Sequence, residues 1–327
     1  DASSSPYTDG AAYQYDASWG AVGANQDFLF RLYRDVTQIM WTDTFYLTNG
    51  NSYFVVCTLD RMFYWNDGSS AWTDISGYLA AGLFSGTVDD RFSADVYPAT
   101  DTYVITNYIN NIKKWTGPGS NIADLGGTPP RAKYVRVYKD HLLLGFVYES
   151  AADRPQRLRW SDAGNMEDFS NGSAGYHDFF EGIDFINGIF FINDYVVITR
   201  ERSIYVGYPV TNTYVFQFDQ RISGVGPMTG DLVLEKGNEL LMVCWDDIYS
   251  FNGTEMNSLA DGFIRKEFFD SANPSTILRS FSMDIEEVSE WHIFVPSTSA
   301  DYPDLEWVYN YINKSWWKYD LSVPVTS

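Results

Sequence analysis

Short apolar runs alternate with polar, turn-forming clusters along the whole chain. The runs are rich in Val, Ile, Tyr and Phe, and the clusters between them in Gly, Asn and Asp. This predicts strands joined by tight turns. β-branched and aromatic side chains suit a pleated sheet, and the turn residues tolerate the dihedrals that reversals need. Long amphipathic helices are absent from the pattern. A short helix is predicted over 75–84.

The runs fall into a loose repeat. One unit, 53–75, reads as an apolar strand, a polar turn, an aromatic strand ending in a Gly turn, and a further strand. The same order recurs over 240–259, where Cys57 aligns with Cys244. There, Trp65, Asn66 and Gly68 align with the turn of Phe251, Asn252 and Gly253. Weaker copies lie at 103–125, 142–164, 195–209 and 291–321. The central apolar residues Val55, Val104, Leu143, Val197, Leu241 and Ile293 recur every 48 residues or so on average. Propeller blades recur every ~40–50 residues.

The expected fold is therefore all-β, a β-propeller of six or seven four-stranded blades. The blades occupy 51–327. The N-terminal segment 1–50 is expected to complete the closing blade, its strand-like stretch 28–48 joining the C-terminal strand. Radially stacked sheets cover faces that one four-stranded sheet leaves in water. A β-sandwich is the structural alternative, but it requires no such repeat.

Composition sharpens this picture. Aromatics make up 17% of the 327 residues, and the net charge is −21. Such acidity argues against gripping nucleic acid or anionic lipid, because phosphate binding needs clustered Lys and Arg. An acidic wall is still compatible with a conduit through which DNA slides without sticking. A plainer reading is that the charge keeps an aromatic-rich protein dissolved. The two cysteines, Cys57 and Cys244, are too few for a disulfide scaffold and are expected as buried thiols on different blades. No apolar stretch reaches the ~18 residues of a membrane span, and the polar N-terminus lacks the core of a signal peptide. The first residue is Asp1, as expected of a processed chain or part of a longer one.

Catalytic chemistry is sparse. His141, His177 and His292 stand alone in sequence, with no metal-binding spacing and no nucleophile elbow. The pairs Asp89–Asp90, Asp246–Asp247 and Glu286–Glu287 would point to opposite sides of a strand rather than converge. The segment RWSDAGNMEDF (159–169) is similar to the Asp-box of sialidase-type propellers, but its spacing differs and Thr-Trp is missing. Trp160, Ser161 and Asp162 are thus read as a turn motif, as are Trp65, Asn66, Gly68, Asn252 and Gly253. No catalytic, cofactor or metal residue is expected.

Several segments resemble a family of bacteriophage virion propellers found in tail nozzles, tail tubes and head-to-tail adaptors. They are TNYINNIKKW (106–115), GGTPPRAKYVRVYKDHLLLGF (126–146), RLRWSDAGNMEDF (157–169), INGIFFINDYVVITRERSIYVGYP (186–209), WDDIYSFNG (245–253) and VYNYINKSWWKYDL (308–321). The resemblance spans roughly 100–321 and is a pattern of blade turns. It implies a structural virion protein and not an enzyme. Its partners would be copies of itself in a ring, other tail or portal-proximal proteins, and genome DNA passing through without specific binding. The competing readings are a carbohydrate-binding or carbohydrate-cleaving, sialidase-like propeller and a general protein-interaction propeller. Trp316 and Trp317 are candidate sugar-stacking residues.

Overall fold

A computed structural model of the chain describes residues 38–77, 83–210 and 215–325. Six four-stranded antiparallel sheets follow one another in sequence order, each an uninterrupted meander, and form the ring of a β-propeller. Blade 1 holds β1 (Ile39–Tyr46), β2 (Ser52–Thr58), β3 (Met62–Asn66) and β4 (Ala71–Asp74). Blade 2 holds β5 (Ser93–Tyr97), β6 (Thr102–Thr106), β7 (Lys113–Trp115) and β8 (Ala123–Asp124). Blade 3 holds β9 (Arg131–Tyr138), β10 (His141–Glu149), β11 (Ala152–Trp160) and β12 (Gly175–Asp178). Blade 4 holds β13 (Ile186–Ile192), β14 (Tyr195–Arg200), β15 (Ser203–Pro209) and β16 (Phe216–Ser223). Blade 5 holds β17 (Val233–Lys236), β18 (Glu239–Val243), β19 (Ile248–Phe251) and β20 (Met256–Ser258). Blade 6 holds β21 (Phe281–Ile285), β22 (Glu290–Val295), β23 (Leu305–Asn310) and β24 (Ser315–Asp320).

The repeat is real in three dimensions. All six central apolar residues, from Val55 to Ile293, lie on the second strand of their blades. These strands are flanked on both sides and buried on both faces, so they read as the strongest apolar runs. The first strand of each blade is innermost. A blade's 2–3 turn and its connector to the next blade then share one end of the ring, the connector face. The 1–2 and 3–4 turns share the other.

Apolar clusters fill the junctions between sheets. Val55, Cys57, Tyr64, Tyr103 and Trp115 join blades 1 and 2. Trp291, Ile293 and Trp307 join blade 6 to Leu241 and Val243 of blade 5. Interdigitated faces of this kind supply the burial that a lone sheet lacks.

Residues 39–46 form β1 and pair with β2, while β24 pairs with β23 inside blade 6. The rest of the N-terminal segment, 1–37, lies outside the described residues, as does the heart of the helix expected over 75–84. The described residues do contain one α-helix, α1 (Gly262–Ser271), which the sequence pattern missed. Its signal is the N-cap Asp261, whose carboxylate accepts from the backbone N–H of Phe263 and Ile264, both at 2.9 Å.

The cysteine alignment is off by one residue. Cys57 pairs with Met62 on β3, and the residue in the same register of blade 5 is Val243, paired with Ile248. Cys244 corresponds to Thr58, since each donates its N–H to a carbonyl three residues on. A one-residue shift moves a side chain to the opposite face of a sheet. Cys57 thus faces blade 2, whereas Cys244 faces blade 4. Both are buried and carry no disulfide, and burial pushes both thiols up from their ordinary pKa.

Candidate functional site

The predicted turn residues act as turn residues. The Asn66 carboxamide oxygen accepts from the N–H of Gly68 (3.0 Å) and Ser69 (3.3 Å). That of Asn252 accepts from Thr254 (3.0 Å) and Glu255 (2.9 Å), with Gly253 at φ +93°. Both close the 3–4 turn of their blade by replacing a backbone acceptor with a side chain. Asn310 does the same in blade 6, accepting from Ile312 and Asn313 at 3.1 Å. It was legible as the Asn that ends a third strand, but it was not singled out.

Trp160, Ser161 and Asp162 organise the long 3–4 loop of blade 3. Asp162 Oδ1 accepts from Ser173 N–H and Oγ, both at 2.7 Å. These two bonds hold its carboxyl below the usual range. Ser161 Oγ accepts from Leu142 N–H (2.9 Å), and Trp160 Nε1 donates to the Ser173 carbonyl (2.9 Å). Trp65, by contrast, packs edge-on to Trp72 on the sheet face.

The histidines are dispersed. His141 is buried with Nδ1 2.6 Å from the Ser161 carbonyl. His177 packs against Phe179 and Phe218, and this burial lowers its pKa. His292 lies between Glu306 (2.5 Å) and Glu290 (3.3 Å). The described residues contain no group of three or more His, Cys, Asp or Glu placed to hold a metal ion.

Adjacent carboxylates diverge. Asp246 accepts from Tyr249 Oη, whereas the buried Asp247 accepts from Ser258 Oγ and Arg265. Asp89 pairs with Arg279, and Asp90 accepts from Thr87.

The propeller axis is spanned by ion pairs from three blades. Arg136 of β9 reaches Asp95 of β5 (3.3 Å) and Glu235 of β17 (3.0 Å). Both carboxylates also accept inner-strand N–H groups, Asp95 from Val137 (2.7 Å) and Glu235 from Phe191 (2.9 Å). Burial disfavours the guanidinium charge, but the two carboxylates outweigh it and raise the Arg136 pKa. Asp43 of β1 lies near this group. Its carboxyl is raised by burial, against hydrogen bonds from Tyr103 and Thr44.

The connector face carries the exposed apolar residues Phe180, Ile183 and Phe185, followed by Trp245, Phe263 and Leu278. The first three ride on the connector 179–185, which Arg200 holds from beneath. Arg200 is fully buried, pairs with Asp184 Oδ1 at 2.8 Å, and donates to the carbonyls of Asp184 (2.6 Å) and Glu181 (3.0 Å). Asp184 also accepts from Ser203 Oγ (2.8 Å). The sequence signal was a lone Arg closing the apolar run of β14.

Beside this connector lies a cleft of about 450 Å³, lined by Glu201, Arg202, Gly224, Val225, Gly226, Trp245 and Asp246. Gly226 is required there, since a Cβ would fall 1.9 Å from the Arg200 carbonyl oxygen.

No protein-family model and no curated protein matches the chain. Among solved structures it is similar to YCF48 from Cyanidioschyzon merolae. The TM-score is 0.43 and the identity 13%, over 74% of this chain and 76% of that one. No helix among the described residues is long and apolar enough to cross a membrane.

Proposed function

We propose that this chain is a structural component of a bacteriophage tail, in a nozzle, tube or adaptor ring, and that it docks neighbouring tail proteins through its connector face. The observation that carries this reading is the exposed apolar set there, above all Phe180, Ile183 and Phe185 on a connector anchored by a buried Arg200–Asp184 pair. Rigidly held apolar loops suit protein contacts, because a patch of this kind is costly in water and gains by being covered. The blade-turn resemblance over roughly 100–321 supports the virion context.

On this reading the DNA path lies between copies in a ring, not along a single propeller axis. Duplex DNA, whose major groove alone is ~12 Å wide, does not fit where one guanidinium touches carboxylates of blades 2 and 5. The net charge of −21 favours a conduit that does not retain phosphate. Electron microscopy of purified virions tests the proposal. Density for this chain in a symmetric ring on the tail axis is expected, and its absence from purified particles overturns the reading.

A second reading is favoured by one observation. Trp245, about half exposed, stands beside Asp246, Glu201 and Arg202 in the cleft. An aromatic face with polar groups around it suits a saccharide. Glycan binding lost in Trp245→Ala would support it, and no binding across a glycan array would end it.

A further inference from the structure

Blade 4 is longer than blade 5, and the difference opens a pocket. The third strands of both blades start from a 2–3 turn on the connector face, but β15 runs for seven residues and β19 for four. Three further residues at ~3.3 Å each carry blade 4 about 10 Å past blade 5. Most of the blade 4 face turned toward blade 5 is covered, with Val197, Ile204 and Val206 packed on Leu240, Met242 and Phe251. The next row of that face is Ile192, Tyr195 and Tyr208. Ile192 pairs with Tyr195, and Tyr208 lies one step beyond the Val196–Gly207 pair, opposite Tyr195. Blade 5 meets this row with its 3–4 turn, Asn252, Gly253 and Thr254.

The result is a pocket of about 390 Å³ at the end of the propeller opposite the connector face. Its volume falls within the ~300–1,000 Å³ of small-molecule sites. Ile192 and Val206 form the base. Tyr195 and Tyr208 form a corner, their ring centroids 6.3 Å apart and their planes at 89°. Tyr195 is 48% exposed, so its ring is open to a ligand. The Asn193 N–H donates to the Gly237 carbonyl at 2.9 Å, which ties the 1–2 turns of the two blades together beside the pocket.

The polar groups of the pocket are several and their charges balance. Arg221 pairs with Asp219 at 3.4 Å, and the Tyr208 hydroxyl donates to the same carboxylate at 3.2 Å. The carboxylate offsets the guanidinium, which disfavours a phosphate or carboxylate ligand. Asn252 spends its Oδ1 on the N–H groups of Thr254 and Glu255, and its Nδ2 remains a donor. The Asn193 carboxamide and the Thr254 hydroxyl have no hydrogen-bond partner among the described residues. An aromatic wall accepts the C–H face of a sugar ring, while amide, guanidinium and hydroxyl groups at the rim meet its hydroxyls.

We propose that this pocket binds a neutral saccharide, with a pyranose ring stacked on Tyr195 and its hydroxyls held by Asn193, Arg221, Asn252 and Thr254. The site is separate from the Trp245 cleft, which lies at the connector-face end of the same blade junction. It rests on neither reading given above.

Saturation-transfer NMR and calorimetry of the full chain with maltose, lactose, mannobiose and chitobiose test it. At least one of these sugars is expected to bind. Tyr195→Ala should weaken that binding roughly tenfold and Thr254→Val about threefold, whereas Tyr195→Phe, which keeps the ring, should stay within about twofold. Tyr319→Ala, at an exposed tyrosine of blade 6, is the control and should bind as the unsubstituted chain does. Affinity unchanged in both Tyr195→Ala and Thr254→Val overturns the proposal. Binding that disappears only in Trp245→Ala also overturns it, because the sugar then sits in the other cleft. Binding of a proline-rich peptide and of none of these sugars, or a preference for sialyllactose over lactose, would contradict the assignment of a neutral saccharide.

Discussion

Arg136 reaches Glu235 across the propeller axis, Nη2 to Oε2 at 3.0 Å, and so ties blade 3 to blade 5 without any strand pairing between them. The same guanidinium holds Asp95 of blade 2. Arg136→Met should therefore leave two carboxylates facing each other with no counter-charge. Removing one partner of a fully buried pair costs ~3–5 kcal/mol, and quarter exposure of these side chains lowers that to about 2–3 kcal/mol. Glu235→Gln should cost less, because an amide oxygen can still accept from Phe191 N–H. Urea unfolding of both variants checks the order, and equal losses would contradict this account of the axis.

Arg200 makes a stronger case, being fully buried and joined to Asp184 and to two carbonyls of the connector. Arg200→Leu should destabilise by about 3–5 kcal/mol, because Asp184 is left charged and buried. Amide exchange in 180–185 should quicken by more than the global loss explains. Exchange that tracks global stability alone would mean the connector does not depend on this pair.

The three turn asparagines should behave alike. Asn66→Ala, Asn252→Ala and Asn310→Ala each remove an oxygen that accepts two backbone N–H groups. A loss of about 1 kcal/mol per site is expected, since the exposed N–H groups recover water. Equilibrium denaturation of each variant measures it. Three neutral substitutions would show that the turns are set by strand pairing alone.

His177 gives a pH signature. Its burial between Phe179 and Phe218 holds its pKa below the ordinary 6.5, with Glu181 and Asp178 opposing. The unfolded chain then takes up a proton that the folded chain refuses. The stability His177 confers is full above about pH 6.5 and is lost as pH falls through the folded value. His177→Gln should flatten the fall in unfolding free energy between about pH 7.5 and pH 5. Identical slopes in the two proteins would assign that fall to other groups.

Strand identity and the repeat were local properties, and for that reason legible. Val55, Val104, Leu143, Val197, Leu241 and Ile293 mark the second strands because a strand buried on both faces must be apolar throughout. Asn66 and Asn252 were readable because an Asn closes a turn with its own side chain. What depended on register was not readable. Cys57 and Cys244 share similar neighbours, yet they face opposite sides of their sheets, and only the pairing with β3 and β19 shows it. The Arg136, Asp95 and Glu235 group was hidden for a related reason. Its members come from three blades and have nothing in common along the chain, so the ring had to close before their charges met. Arg200 looked like the end of an apolar strand, and tertiary packing made it the support of an exposed loop by bringing Asp184 of the connector onto it. Sequence periodicity thus determined the strands and the blades, while long-range packing decided which side chains share a face, a pocket or an axis.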